Sequence, residues 1–122
     1  HEVGHHVQTI TGVMQKYQEQ MANLSEEEQN ALTVRLELQA DYLAGVVARY
    51  QKDKGYLDPG DIDEAISAAW SIGDDTIQKK SQGHVKPESF THGTSAQRTR
   101  WFKKGYETGD LSNWDTFSAK EL

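Results

Sequence analysis

The chain has 122 residues, of which 35% are hydrophobic and 26% charged, enough for a modest core and a single unit spanning residues 1–122. Its net charge of −6 argues against nucleic acid as a partner, because phosphate binding draws on excess Lys and Arg, and no run approaches the roughly 20 apolar residues of a membrane-spanning helix. It has no cysteine, which excludes disulfides and Cys-ligated metal within the chain and leaves the redox compartment open.

Four helices and no strand are predicted, a mainly α chain. The first runs from His1 to about Ala22, with Val3, Val7, Ile10, Met14, Tyr17 and Met21 recurring at helical spacing as one apolar stripe. Ser25-Glu26-Glu27-Glu28 reads as a capping box opening a second helix that runs to about Lys54 before Gly55, with Leu32, Leu36, Ala40, Leu43 and Val47 on its apolar face. Asp58-Pro59-Gly60 is a turn, and Asp61 followed by Glu64 is a second capping pattern, for a third helix to about Lys80. Residues 81–92 read as an irregular loop, and Thr94 as the N-cap of a fourth helix to about Thr108, closed by Gly109. The tail from Asp110 to Leu122 carries Trp114 and Phe117 and is expected to fold back. Trp70, Trp101, Phe102 and Trp114 are expected in the core, and Arg98, Arg100, Lys103 and Lys104 on a solvated face.

The chemistry is concentrated in His1-Glu2-Val3-Gly4-His5, an H-E-x-x-H pattern. On a helix, residues i and i+4 share a face, so His1 and His5 can reach one metal ion, with Glu2 beside it as general base for a water. A catalytic zinc takes three protein ligands and keeps one position open. The third ligand is best sought at Glu37, where Glu37 and Asp41 share a helix face among Leu36, Leu38, Ala40 and Leu43, an apolar setting for two bare carboxylates. In that arrangement Asp41 accepts the free N–H of a ligand histidine. Histidine alternatives are His6, His84 and His92. His6 lies about 100° around the helix from His5, and His84 sits in a polar loop. No third histidine follows at the spacing that would extend H-E-x-x-H on the same side. His92, at a loop-to-helix junction six residues before Arg98, is open between two roles, stabilising an oxyanion or capping and packing. Arg98 is open between orienting Asp41 and orienting a substrate carboxylate.

Taken together, His1-Glu2-Val3-Gly4-His5-His6-Val7-Gln8, Arg35-Leu36-Glu37-Leu38-Gln39-Ala40-Asp41, Pro59-Gly60-Asp61-Ile62 and Phe90-Thr91-His92-Gly93-Thr94-Ser95 resemble the bacterial putative neutral zinc metallopeptidases over essentially the whole chain. The H-E-x-x-H plus E-x-x-x-D plan is also similar to that of the wider gluzincin clan. The resemblance implies the helical half of a gluzincin-type peptidase, with one zinc per chain held by His1, His5 and Glu37. It also implies Glu2 as base, Asp41 supporting a ligand histidine, and His92 and Arg98 matching a clan H-P-x-x-x-x-R element in which Gly93 replaces the proline. The implied substrate is a peptide or protein. It further implies an active-site sheet and a membrane or leader segment before His1, hence a membrane-anchored or extracytoplasmic bacterial location. With His1 as first residue, the expectation is weakened zinc binding and lost turnover in this stretch alone. Where relatives often carry cysteines, this chain has Tyr42 and Trp114, and aromatic packing is expected to stand in for a disulfide. Two further readings are a non-catalytic metal-binding or interaction domain and a hydrolase acting on a non-peptide amide.

Overall fold

Helices supply the regular structure among the described residues of the computed structural model, which cover 1–122 with the side chain of Pro59 excepted. In chain order they are α1 (Glu2–Ile10), α2 (Val13–Met21), α3 (Glu26–Asp53), α4 (Pro59–Ser71), α5 (Asp74–Gln82) and α6 (Ser95–Thr108), with short 3₁₀ turns at Pro87–Ser89 and Leu111–Asn113. No strand occurs among the described residues, as expected, and none of the helices is long and apolar enough to cross a membrane.

Two of the four predicted helices are each divided in two. The first breaks at Thr11-Gly12, where Gly12 adopts φ +84°, a conformation costly for residues with a Cβ. The third breaks at Ile72-Gly73, and α4 starts earlier than Asp61. Asp58 is its N-cap and Asp61 its third residue, whose carboxylate accepts the Asp58 N–H at 2.9 Å. The second and fourth predicted helices form as read. Ser25 Oγ accepts the Glu28 N–H at 3.2 Å, and Thr94 and Gln97 make a reciprocal capping box ahead of a left-handed Gly109.

α3 is the axis of the molecule, with α1 packed on one side and α6 on the other. Both flanks of α3 are therefore buried: Leu36, Ala40 and Leu43 of the expected apolar face, but also Val34, Leu38 and Tyr42. Val34, Leu38, Tyr42, Phe90 and Trp101 form the core cluster, against which Val46, Trp114, Ala119 and Leu122 pack. The tail folds back as expected and is anchored by polar bonds. Arg35 donates to the carbonyls of Thr116 (2.6 Å) and Ala119 (2.8 Å), and Trp101 Nε1 donates to the Leu122 carbonyl at 2.9 Å. Tyr42 stacks edge-on against Trp101 at 6.1 Å, and its hydroxyl donates to the Asp110 carbonyl.

Two expectations are corrected. Trp70 is 53% exposed because it lies in the last turn of α4 beyond the core, where its carbonyl accepts the Ser95 hydroxyl and the Gly73 N–H. The apolar stripe of α1 faces inward only in part: Val3 and Ile10 are exposed, Val7 is half-buried, and the buried residues of that helix are Gly4 and Gln8.

The seam between α3 and α6 depends on Gly45 and Gly105. A Cβ on Gly45 would overlap the Phe102 carbonyl oxygen, and one on Gly105 the Tyr42 carbonyl oxygen, so the two backbones touch at this crossing. Alanine would gain about 0.5–1 kcal/mol of helix propensity over glycine, but backbone overlap in a packed seam costs about 1–3 kcal/mol. Gly45→Ala is therefore expected to destabilise the chain by roughly 1–2 kcal/mol net, read as a lowered urea midpoint. An unchanged or raised midpoint would show that the seam relaxes freely.

Candidate metal centre

The candidate ligands arise from two helices that approach without intervening side chains. A Cβ on Gly4 would stand 2.5 Å from the Ala40 carbonyl oxygen, so the first turn of α1 lies directly on the middle of α3. His1 and His5, flanking Gly4 on the same face, then meet Glu37 and Asp41, which flank Ala40.

His1 Nε2 lies 2.7 Å and His5 Nε2 2.9 Å from Glu37 Oε2, and the two nitrogens are 3.0 Å apart. These are three electron-pair donors converging on one spot, which repel unless a proton or a cation lies among them. Tetrahedral zinc with bonds of about 2.0–2.1 Å sets its ligand atoms roughly 3.3 Å apart, so the triangle needs only a slight opening to accept the ion on its open side. His1, His5 and Glu37 are the only His, Cys, Asp or Glu cluster of metal-holding geometry among the described residues. The donor set, two imidazoles and a carboxylate, fits zinc.

Around this triangle the supporting bonds are specific. His1 Nδ1 donates to Asp41 Oδ1 at 2.7 Å, which leaves its Nε2 facing Glu37. Asp41 is in turn gripped at both oxygens by Arg98, Nε to Oδ2 at 2.8 Å and Nη2 to Oδ1 at 3.1 Å, with both residues buried. Arg98 thus orients Asp41, one of its two expected roles, and it is not part of a solvated basic face. Its third contact is Nη1 to the Ile72 carbonyl at 3.3 Å, which brings in the α4–α5 junction. On the other side, His5 Nδ1 meets Gln8 Oε1 at 2.8 Å.

Electrostatics follow the geometry. Burial works against a charged His1, but the hydrogen bonds and charges of Asp41 and Glu37 outweigh it and lift its pKa from 6.5 to about 9. Burial likewise opposes a charged Glu37, and His1, His5 and His92 overcome it, holding the carboxyl below its usual range. In the metal-free chain a proton therefore occupies the place a cation would take.

The other expected residues stand outside the triangle, and of these His92 comes within 3.8 Å of Glu37 Oε2. Glu2 is exposed on the first turn of α1 and makes no hydrogen bond or ion pair among the described residues. His92 has a side chain 45% exposed, with Nε2 3.8 Å from Glu37 Oε2 and Nδ1 3.0 Å from Thr91 Oγ1. His6 is exposed on α1, away from the triangle, and His84 is exposed in the 83–86 loop. Asp74, not among the residues expected from the sequence, holds the His92 loop. Its Oδ2 accepts the N–H groups of Thr91 (3.0 Å), His92 (2.7 Å) and Gly93 (2.9 Å), while its own N–H donates to the Gly93 carbonyl at 2.9 Å. Its sequence signal was Gly73-Asp74-Asp75, an acidic helix start after a breaker.

Removing Arg98 would leave the Asp41 charge buried with only a histidine partner, and breaking such a pair costs about 3–5 kcal/mol. Arg98→Ala should therefore shift the urea midpoint strongly, whereas a shift worth under about 1 kcal/mol would mean that the pair acts as a surface ion pair. His1 gives a pH signature. Its folded pKa is raised, so its stabilisation is complete below about pH 6.5 and lost as pH rises through about 9. The metal-free chain should lose roughly 2–3 kcal/mol over that window, and a His1→Gln variant should show no such slope.

Residues 1–117 match the family model described as putative neutral zinc metallopeptidase. The chain is 50% identical over 117 residues to the uncharacterized protein YpfJ of Escherichia coli K12, covering 96% of this chain and 41% of that protein. It is 45% identical over 132 aligned positions to the uncharacterized proteins Mb2605 of Mycobacterium bovis and Rv2575 of Mycobacterium tuberculosis H37Rv, covering all of this chain and 43% of each relative. The chain thus spans about two fifths of the length of the curated relatives it matches. No solved structure matches it. On these matches the chain belongs to the family of putative neutral zinc metallopeptidases.

Proposed function

We propose that this chain carries the zinc-binding and catalytic residues of a peptidase that hydrolyses peptide bonds by attack of water. The observation that carries the reading is the convergence of His1 Nε2, His5 Nε2 and Glu37 Oε2 within 3.0 Å of one another, with the exposed Glu2 next to His1 in the chain. His1, His5 and Glu37 would hold the ion. Zinc there supplies Lewis acidity, polarising a scissile carbonyl and acidifying a water.

The remaining work falls to the protein. Glu2, exposed and free of competing bonds, takes the proton of the attacking water on its carboxylate and delivers it to the leaving amine. His92 stands on the open side. With Thr91 Oγ1 at its Nδ1, its Nε2 is available to donate to the oxyanion that develops at the scissile carbonyl. Asp41 and Arg98 hold His1 in register, and Asp74 holds the loop that presents His92.

A second reading is supported by one distance. His92 Nε2 is 3.8 Å from Glu37 Oε2, close enough for a small shift to make it a fourth ligand and close the site as a structural one. The two readings part on His92→Ala. In the peptidase it leaves zinc affinity within a few-fold and lowers turnover by about 10–100-fold or more, whereas in a closed site it weakens zinc by orders of magnitude.

The primary experiment is metal analysis after dialysis on the parent, Glu37→Ala and Glu2→Gln, followed by peptide cleavage. One zinc per chain is expected in the parent and in Glu2→Gln, with zinc lost or much weakened in Glu37→Ala. Cleavage should fall by about 10²–10⁴-fold in Glu2→Gln. Zinc retained in Glu37→Ala would sink the three-ligand site. Cleavage retained in Glu2→Gln would remove Glu2 from the base role.

A further inference from the structure

We infer that Gln8 is the positioning residue for His5, fixing which ring nitrogen faces the metal, and that Gln39 and the C-terminal tail lock Gln8 in place. The inference rests on His1, His5 and Glu37 forming a metal site.

Gln8 lies one turn beyond His5 on α1 and is fully buried. Its Oε1 is 2.8 Å from His5 Nδ1, and its Nε2 is 2.8 Å from the Leu36 carbonyl oxygen and 2.9 Å from Gln39 Oε1. Gln39 is buried too, and its own Nε2 donates to the Trp114 carbonyl at 3.2 Å. Each amide therefore ends on a backbone carbonyl, which can only accept. Turning the Gln8 amide over would set its oxygen against the Leu36 oxygen. Turning Gln39 over would set its oxygen against that of Trp114. The orientations follow from the network, and Gln8 must show His5 an acceptor.

An acceptor at Nδ1 requires the hydrogen of a neutral His5 to be on Nδ1, so its Nε2 carries the lone pair. That is the nitrogen 2.9 Å from Glu37 Oε2. Hydrogen bonds thus run unbroken from His5 through Gln8 and Gln39 to residue 114 of the tail. The two histidines are supported differently. His1 has a buried carboxylate offset by a guanidinium, whereas His5 has a neutral amide. A second carboxylate at position 8 would be buried against two acceptor oxygens and have no cation to offset it.

Nitrogen-resolved imidazole NMR of the metal-free chain and zinc titration against a chromophoric chelator test this. His5 of the parent should show the Nδ1–H tautomer. Gln8→Met, which keeps the volume but offers no acceptor, should give a tautomer mixture. It should also bind zinc about 10–100-fold more weakly, at unchanged helix content. Gln39→Met, which leaves Gln8 held by Leu36 alone, should give a smaller loss. The inference is overturned if His5 of the parent is the Nε2–H tautomer, or if Gln8→Met binds zinc as tightly as the parent. Should Gln8→Met not fold, the parent tautomer and Gln39→Met decide. A parent that binds no zinc would instead sink the metal reading, and the tautomer would still report whether Gln8 holds His5.

Discussion

The arrangement depends on one buried carboxylate. Asp41, in the middle of α3, accepts from His1 at the start of α1 and from Arg98 on α6, so three helices are joined at a single side chain. Desolvating a carboxylate costs several kcal/mol, and this one is stable only because each of its oxygens has a short, charge-assisted partner. The same requirement works in reverse on the partners. Arg98 is held where its remaining N–H reaches Ile72, and His1 is turned so that its second nitrogen points at Glu37. The order of causes runs from Asp41 to the helix positions and from those positions to the ligand triangle.

Backbone contact makes such a polar interior reachable. Short side chains such as Asp41 can bridge helices only where the helix axes lie close. α3 is approached closely on both sides, by α1 at Gly4 and by α6 along Gly105. These contacts leave little room for apolar side chains at the crossing points, and the interior there is filled by Gln8, Gln39, Asp41 and Arg98 instead. Their hydrogen-bonding capacity is met locally, in line with the rule that buried polar networks are tolerated when fully paired. Among the described residues, the one buried side-chain polar atom without a partner is the Thr99 hydroxyl, outside this network.

What could be read from the sequence follows the same physics. Glu37 and Asp41 stood out because two carboxylates one turn apart in a run of Leu and Ala demand partners, and α3 and α6 stood out through their caps. The inward face of α1 was misread because periodicity ranks burial by apolarity, and on this helix the polar residues face in. Gly4, Gln8, His1 and His5 occupy the packed face and leave Val3 and Ile10 outside. Arg98 fits two readings in the sequence, a carboxylate-orienting residue and one of four basic residues on a face, since nothing local to α6 decides that its partner lies 57 residues earlier. Gln8 and Asp74 were silent for a related reason. An amide that orients a histidine, or a carboxylate that collects three N–H groups, is identified by what it faces rather than by its spacing.

The constraints are distributed unevenly around the triangle, and this bears on what the site is for. On the α3 side every group is held by two or more bonds and is largely buried. By contrast Glu2 is exposed, and His92, carried on a loop secured through Asp74, is nearly half exposed. A metal site serving only to hold the fold together gains from closure all round, because each open position admits water that competes with a protein ligand. A site that must admit a substrate and release products needs rigid ligands beneath a face open to exchange, with proton-handling groups on that face. The exposed Glu2 and the half-exposed His92 favour the second arrangement, in keeping with the proposed peptidase. In that proposal the groups assigned to proton transfer are the least constrained, and those that would hold a metal are the most constrained.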